Sequence, residues 1–551
     1  MTDTSRKTTL AVACVLIAAI AAGGGYWLHR QQRELAWSVL YDTLGKTNDE
    51  LTHTEDSYSL LSQTLTVKNL KLRDADEKSV QPAPADEAAA NDGSTPAQFF
   101  LQAASVTLTG AGHVELPGEA VYVPRFDALV MENVSVYPGP GDTVTVDSLS
   151  VGPVTGKLAL LNNYFSPEPD TDFSELEKTM ELFSLRKLRL SGVKVHSTSG
   201  SGAVPPFILS FAEITQDHIS MKDSGPLLAK ELHWETSPAS DAFPLGRQQY
   251  FSSVKAEALE LDRVWVADPK AALPIEYYAA APEKFAWLKN FYATGEMGIR
   301  GLRLRGIQVV YAMFGFQVKE VDFSFSQKNG KADITGAVTD LNVGRMVNHI
   351  LLERIPALKA IPDAANLPLS VSCNVSSTQF YSSGSSDTSS IQCTFGDILE
   401  LRMATEAASG RGDDEADEFL EAWTDGENPY LAGFRAGFYG EQHIRSLTYT
   451  ITDHTFTDYL YRVLAAKAGT TPEREKERIL ARLEQGASHP EFGDLLSQPA
   501  LKSFFADSGT LQVRLTAKNG TVPFSWDRQD EFSLSLFSMT SAHTPRGSET
   551  P

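Results

Sequence analysis

The sequence predicts a mainly β protein with a helical C-terminal portion, an α+β chain in which an N-terminal transmembrane helix precedes a long curved antiparallel sheet of repeated strand phrases. Three observations predict it. An uncharged stretch opens the chain, one strand-like phrase recurs through its middle, and helix start and stop signals cluster near its end. The 551 residues, 42% of them hydrophobic, suffice for several domains or one extended array with a substantial core, which excludes a disordered chain.

Thr8 to Leu28 carries no charged residue and matches the roughly 20 residues a helix needs to cross a bilayer. Arg6 and Lys7 precede it, and Tyr26 and Trp27 stand where interfacial aromatic anchors belong. Residues 1–7 then form a short cytoplasmic tail, residues 8–28 an uncleaved anchor, and the soluble-looking remainder an exported body. The rival reading is a cleaved signal peptide with Ala19-Ile20-Ala21 as its small-residue site. His29 to Leu44 has helical apolar spacing, so residues 29–60 are expected to continue the anchor as a helical stalk.

Residues 61–344 are dominated by a phrase with apolar residues at relative positions 0, 2, 5 and 7. It reads LTVKNLKL from Leu65, LVMENVSV from Leu129, VTVDSLSV from Val144 and LLAKELHW from Leu227. It doubles at Phe183 (FSLRKLRLSGVKV), at Val254 and at Met297 (MGIRGLRLRGIQV). The Ala/Asp/Pro-rich residues 73–98 read as a flexible insertion. On a flat strand, positions 0 and 2 face one side and positions 5 and 7 the other. A two-residue hairpin turn would return all four to one side, but it wants residues that accept positive φ. Central pairs such as Arg186-Lys187 and Lys319-Glu320 mostly do not qualify. A bulge achieves the same by bending one continuous strand, so a long coiled sheet with an apolar inner surface is preferred. Several separate sandwiches with ordinary cores are the alternative.

Residues 345–442 form a mixed region. Arg345 to Ile361 is apolar at helical spacing, and Gly410 to Gly426 is acidic. Residues 443–540 combine helices and strands. Helices are expected at Thr457–Ala468, at Pro472–Gln485 with Thr471 as N-cap, and at Pro490–Ala506. Strands follow at Leu511–Ala517 and Phe532–Phe537, and residues 541–551 read as a loose tail. Cys373 and Cys393 stand on either side of a Ser/Gly-rich loop. In an oxidising compartment a bond between them would be worth about 3 kcal/mol by the chain-entropy model. Two reduced buried thiols are the alternative.

The net charge of −22 argues against a nucleic-acid partner, because sequence-independent binding neutralises phosphates with Lys and Arg. No motif carries catalysis. Gly45-Lys46-Thr47 lacks the first glycine of a phosphate loop, which would stand where Leu40 is. Ser184/Lys187 and Ser252/Lys255 have Ser-x-x-Lys spacing but lie inside strand phrases. His349 and Glu353 offer only two ligands on one helix face, and Asp413-Asp414-Glu415 lacks an alternating calcium pattern. The chain is expected not to be an enzyme and to need no cofactor or metal; a hydrolase with a spatially assembled site ranks third.

The inside tail, anchor and stalk, the recurrent phrase, and the segment ALKSFFADSGTLQVRLTAKNGTVPFSW from Ala500 to Trp526 together resemble the AsmA-like and YdgA-like envelope proteins of Gram-negative bacteria. That resemblance implies a bacterial inner-membrane anchor, a groove-forming β-structure in the periplasm, and a part in envelope biogenesis. It further implies phospholipid or another envelope lipid as ligand. The expected groove lining comes from the phrase itself: Leu188, Leu190, Ile299, Leu302, Leu304, Val321 and Phe323. An envelope scaffold with a closed core and a protein partner is the alternative. The arginines of the Met297 phrase, Arg300, Arg303 and Arg305, are expected on the solvated side.

Overall fold

The computed structural model describes residues 28–44, 51–72, 101–115, 122–139, 142–156, 182–197, 206–236, 252–272, 282–311, 314–342, 370–380, 386–408, 442–486, 493–524 and 533–547. The expected anchor lies outside them apart from Leu28, and among them no helix is long and apolar enough to cross a membrane. The insertion at 73–98, the segment at 345–361 and the acidic run at 410–426 also lie outside the described residues. The chain divides into two compact units, residues 1–248 with 269–281, and residues 249–268 with 282–551. The described residues are mostly β, in antiparallel pairings, with some helix.

The first unit holds helix α1 (28–44) and strands β1 (Leu51–Thr52), β2 (Glu55–Ser59), β3 (Thr64–Leu72), β4 (Leu101–Thr109), β5 (Gly112–Glu115), β6 (Tyr122–Phe126) and β7 (Ala128–Gly139). It continues through β8 (Asp142–Val151), β9 (Val154–Thr155), β10 (Ser184–Ser197), β11 (Phe207–Ser220), β12 (Asp223–Ser224) and β13 (Leu227–Thr236). Its main pairing order is β3–β4–β7–β8–β10–β11–β13, with β1 and β2 on the outer side of β3. Helix is described over 28–44, and the expected stalk, which ran to 60, is replaced by strand at Leu51–Thr52 and Glu55–Ser59, both paired with β3.

Helix α1 is docked. Ala36, Val39 and Leu40 are fully buried in one cluster with Leu65, Val67 and Leu70 of β3 and with Val106 and Leu108 of β4. At its edge Arg33 Nε and Trp37 Nε1 both donate to Asp56 Oδ2 at 3.0 Å. Burial works against the Asp56 charge, and these two donors outweigh it, holding the carboxyl below its ordinary range.

The phrase lies inside single continuous strands, so the hairpin arrangement does not occur. Its spacing reads the same in both directions, because reversing 0, 2, 5, 7 returns 7, 5, 2, 0. Antiparallel neighbours therefore match apolar to apolar: Leu65, Val67, Leu70 and Leu72 stand opposite Leu108, Val106, Ala103 and Leu101. All eight are buried or packed against the same cluster. The change of parity is absorbed at position 4, which takes a left-handed backbone in alternate strands. In the first unit these residues are Asn69 of β3, Asn133 of β7, Lys187 and Gly192 of β10, and Glu231 of β13. The strands between them, β4, β8 and β11, carry no positive-φ residue. Asn and Gly tolerate this conformation best. Most pairings cross the crease without changing register, the creased residue and its opposite number both dropping out of the ladder.

The second unit holds β14 (Ser252–Val266), helix α2 (Pro282–Thr294), β15 (Met297–Tyr311), β16 (Phe314–Lys328), β17 (Lys331–Asn342), β18 (Ser370–Phe380), β19 (Ser386–Phe395), β20 (Leu399–Ala408) and β21 (Gln442–Asp453). Helices α3 (Phe456–Ala468), α4 (Pro472–Gly486), α5 (Gly493–Leu496) and α6 (Pro499–Asp507) follow, then β22 (Gly509–Ala517), β23 (Val522–Phe524) and β24 (Phe537–Thr544). Strands β14 to β22 pair in chain order and β24 closes the series on β22. The creases recur at Gly301 and Gly306 of β15 and Asp340 of β17. Two of these are true bulges with a register shift, between Ile299 and Leu302 and between Val338 and Leu341. In each, a serine hydroxyl of the neighbouring strand accepts the creased amide: Gly301 N–H donates to Ser324 Oγ at 3.0 Å, and Asp340 N–H to Ser372 Oγ at 2.9 Å.

The C-terminal helices follow local signals. Thr471 Oγ1 accepts from Arg474 N–H, and Gly469 ends α3 in the left-handed conformation. The helical stretch expected at Pro490–Ala506 is two pieces in the structure, because Pro499 has no N–H to continue a helix and begins α6. The last strand runs to Thr544, into the segment expected to be tail.

Candidate functional site

The sheet of the second unit has two chemically opposite faces. Directly opposite residues on antiparallel neighbours share a face. Following the register across the strands gives one unbroken row, Leu261–Leu302–Phe323–Gly336–Val375–Ile391–Met403–Tyr449–Val513. Phe323, Val375, Ile391 and Tyr449 remain 36%, 36%, 37% and 40% exposed. From β16 to β21 that is five inter-strand spacings of about 4.8 Å, a lane of roughly 24 Å. One row over lie Val321, Val338, Cys373, Cys393, Leu401 and Ile451 on the same face. Cys373 and Cys393 stand directly opposite each other, joined as a disulfide with Cα atoms 4.1 Å apart. On the other side of the lane is a row with hydroxyls at its centre, Ser377, Ser389 and Thr405.

The lane has one covered end. At β21 and β22 the same face meets α6, where Phe504, Leu447, Leu511, Val513 and Leu515 form a buried cluster with Leu501 and Phe505 packed on it. Tyr461 of α3 donates its hydroxyl to the Phe505 carbonyl and ties α3 to α6. Burial, assisted by Asp453 and Asp458, pushes this phenol up to about 12. Asp453 is 2% exposed and accepts from Phe456 N–H at 2.6 Å and from the Thr457 hydroxyl, capping α3.

The opposite face is polar. Arg303 reaches Glu260 at 3.0 Å, Asp322 at 3.3 Å and Asp262; Arg305 reaches Glu260 and Glu320, each at 3.0 Å. Partial burial opposes the Arg303 charge, and the surrounding carboxylates more than restore it, raising its pKa. Arg303 and Arg305 of the doubled phrase are thus neutralised by neighbours within the sheet. A depression of about 350 Å³ over β18 to β22 is lined by small hydroxyl residues, with Glu406 and Arg514 among them.

The structure separates the expected groove residues into two environments. Leu188 and Leu190 pack against the closed core of the first unit, together with α1. Ile299, Leu302, Leu304, Val321 and Phe323 belong to the apolar face of the second unit, are partly exposed, and join neither buried cluster. Sequence reasoning did not single out Val375, Ile391, Met403 and Tyr449: the strands of the first three do not carry the phrase, and Tyr449 closes only a weaker copy, QHIRSLTY from Gln442. Their only local signal is simple alternation, as in LSVSCNVS and SIQCTF, and the register that aligns them is non-local. Ser184 and Lys187 lie on β10, Ser252 and Lys255 on β14, in strand positions as expected. His349, Glu353, Gly45-Lys46-Thr47 and the acidic run lie outside the described residues.

A family model with the description "Uncharacterized protein" matches residues 393–526. That span starts at the disulfide on β19 and takes in the covered end of the lane, with α3 to α6. No curated protein matches the chain.

Proposed function

We propose that the chain is a non-enzymatic, membrane-anchored protein of the bacterial envelope that binds lipid along the apolar face of its second unit, with its bulk in the periplasm. The observation that carries this reading is the lane itself. Four large apolar side chains in one register row, each more than a third exposed, form an apolar patch of the size that often marks a binding surface. Burying each such side chain would return about 1–2 kcal/mol at roughly 25 cal/mol per Å². Removal of a ligand down the lane toward a partner would make the protein a transfer component, and the uncharged segment 8–28 would hold it at the inner membrane.

The test is lipid extraction and mass spectrometry of the full chain purified in mild detergent, beside Gly336→Phe. Gly336 sits in the row between Phe323 and Val375, and a Cβ there meets nothing closer than 3.7 Å. A phenylalanine therefore blocks the lane while the strand persists. Copurified lipid that falls several-fold in the variant is the expected result. Absence of lipid from the wild-type chain, or equal lipid in both, overturns the reading.

A second reading is an envelope scaffold that meets a protein partner. It is favoured by the first unit, whose phrase strands pack in one buried cluster with α1, where among the described residues no register row holds several large apolar side chains more than a third exposed. It predicts site-specific crosslinking to one membrane protein and no bound lipid.

A further inference from the structure

We infer that the lane selects an amphiphile with an uncharged, hydrogen-bonding head, an acylglycerol rather than an anionic phospholipid, and that Ser377, Ser389 and Thr405 hold the head. This rests on the lipid-binding reading of the same face. Three rows run across β16 to β21 on that face, and none of their side chains is charged. The rule is strict on this side only: the opposite face of the same strands carries Asp322, Arg402, Glu406 and their neighbours. A phosphate placed in these rows would meet no cation. The nearest charge continuing the hydroxyl row outward on β19 is a carboxylate, Asp387, whose Oδ1 accepts the Phe380 N–H at 2.7 Å. Electrostatics therefore favours a neutral head.

The three hydroxyls are placed to receive it. Ser377 faces Ser389 and Ser389 faces Thr405 in the ladder, so they line up across three successive strands. They are half-buried beside Val375, Ile391 and Met403, and among the described residues none has a hydrogen-bond partner in the protein. A half-buried hydroxyl next to apolar surface loses solvent when a chain lies down on that surface, and stays satisfied only if the ligand supplies a partner. Glycerol hydroxyls and ester carbonyls both do so. With the head over β18 to β20, the tail runs two to three inter-strand spacings, roughly 10–14 Å, to Phe323 on one side or to the covered end at α6 on the other.

The experiment uses the full chain in detergent with two photocrosslinking probes of equal acyl length, a diazirine-tagged monoacylglycerol and a diazirine-tagged phosphatidylglycerol. The expected result is saturable labelling by the neutral probe, mapped to β18–β20, at least ten times stronger than by the anionic one. Ile391→Glu should abolish labelling by the neutral probe. The double variant Ser389→Ala, Thr405→Val keeps the apolar row and should lower neutral labelling several-fold, reducing the preference. Equal labelling by both probes, or a preference for phosphatidylglycerol, overturns the neutral-head inference while leaving lipid binding intact. So does a preference untouched by the double variant. Labelling by neither probe in the wild-type chain overturns the lipid reading itself, and this inference with it.

Discussion

The crease at position 4 can be tested at Gly301. Its φ is 61°, and a Cβ built there would stand 2.1 Å from Asp262 Oδ2 and 2.7 Å from Arg303 Nη2. Gly301→Ala therefore imposes two costs. The left-handed conformation costs a residue with a Cβ about 1–2 kcal/mol. Moving Asp262 away from Arg303 breaks one contact of a half-exposed ion-pair network, which adds about 0–1 kcal/mol. The sum, about 1–3 kcal/mol, corresponds to a rise in local opening of roughly 5-fold to 160-fold, at about 1.36 kcal/mol per tenfold. Gly336→Ala is the control, because its φ lies outside the left-handed region and its Cβ would have 3.7 Å of clearance. Replacing a strand glycine there should be neutral or stabilising by about 0.5–1 kcal/mol. Hydrogen exchange followed by mass spectrometry, read on peptides spanning β14 to β16, separates the two. Faster exchange in Gly301→Ala with protection retained in Gly336→Ala is expected. Equal protection in both would refute the claim that a left-handed residue makes the phrase bend.

The remaining predictions concern the helices, the docked helix and the disulfide. Asp453→Ala removes the cap of α3 at a nearly inaccessible site and should cost about 1–2 kcal/mol, seen as loss of exchange protection in α3. Tyr461 has its folded pKa raised, so its hydrogen bond to Phe505 is fully present below about 10 and is lost as pH rises through about 12. Alkaline titration of tyrosinate absorbance should show a late component, to which Tyr41, Tyr58 and Tyr449 also contribute, and Tyr461→Phe should remove one group from it. The Asp56 carboxyl is held low, so its contribution to docking α1 is present above about 3.9 and is lost as pH falls through its lower folded value. Arg33→Ala should move that acid transition of α1 to higher pH. Cys373→Ser should lower the thermal stability of the second unit by up to about 3 kcal/mol, and the wild-type chain should run faster on a gel without reductant.

How much of this was legible beforehand depends on how local the cause is. The phrase spacing in residues such as Leu65, Val67, Leu70 and Leu72 already carried the bend, because two apolar pairs of opposite parity must share one core. The spacing is also its own reverse, so phrase-to-phrase antiparallel pairing was implicit in it, although the palindrome becomes plain only in the register. Helix limits near Thr457, Pro472 and Gly486 were equally local, being set by caps and prolines. The stalk was not, since Glu55–Ser59 is a strand only because β3 lies beside it. Nor was the difference between Leu188 and Leu302, which occupy the same place in the same phrase. One packs against a core that includes α1, and the other stays on a partly open face.

The sequence by itself determined which side of each phrase strand is apolar, that those strands bend, and where α3 and α4 start and stop, because those follow from the chemistry of residues a few positions apart. Only the tertiary structure decided that Phe323, Val375, Ile391, Met403 and Tyr449 form one row, and that three hydroxyls lie beside it. Exposure and register are properties of neighbours brought together from distant segments, and periodicity within one segment carries no information about what the fold lays on top of it.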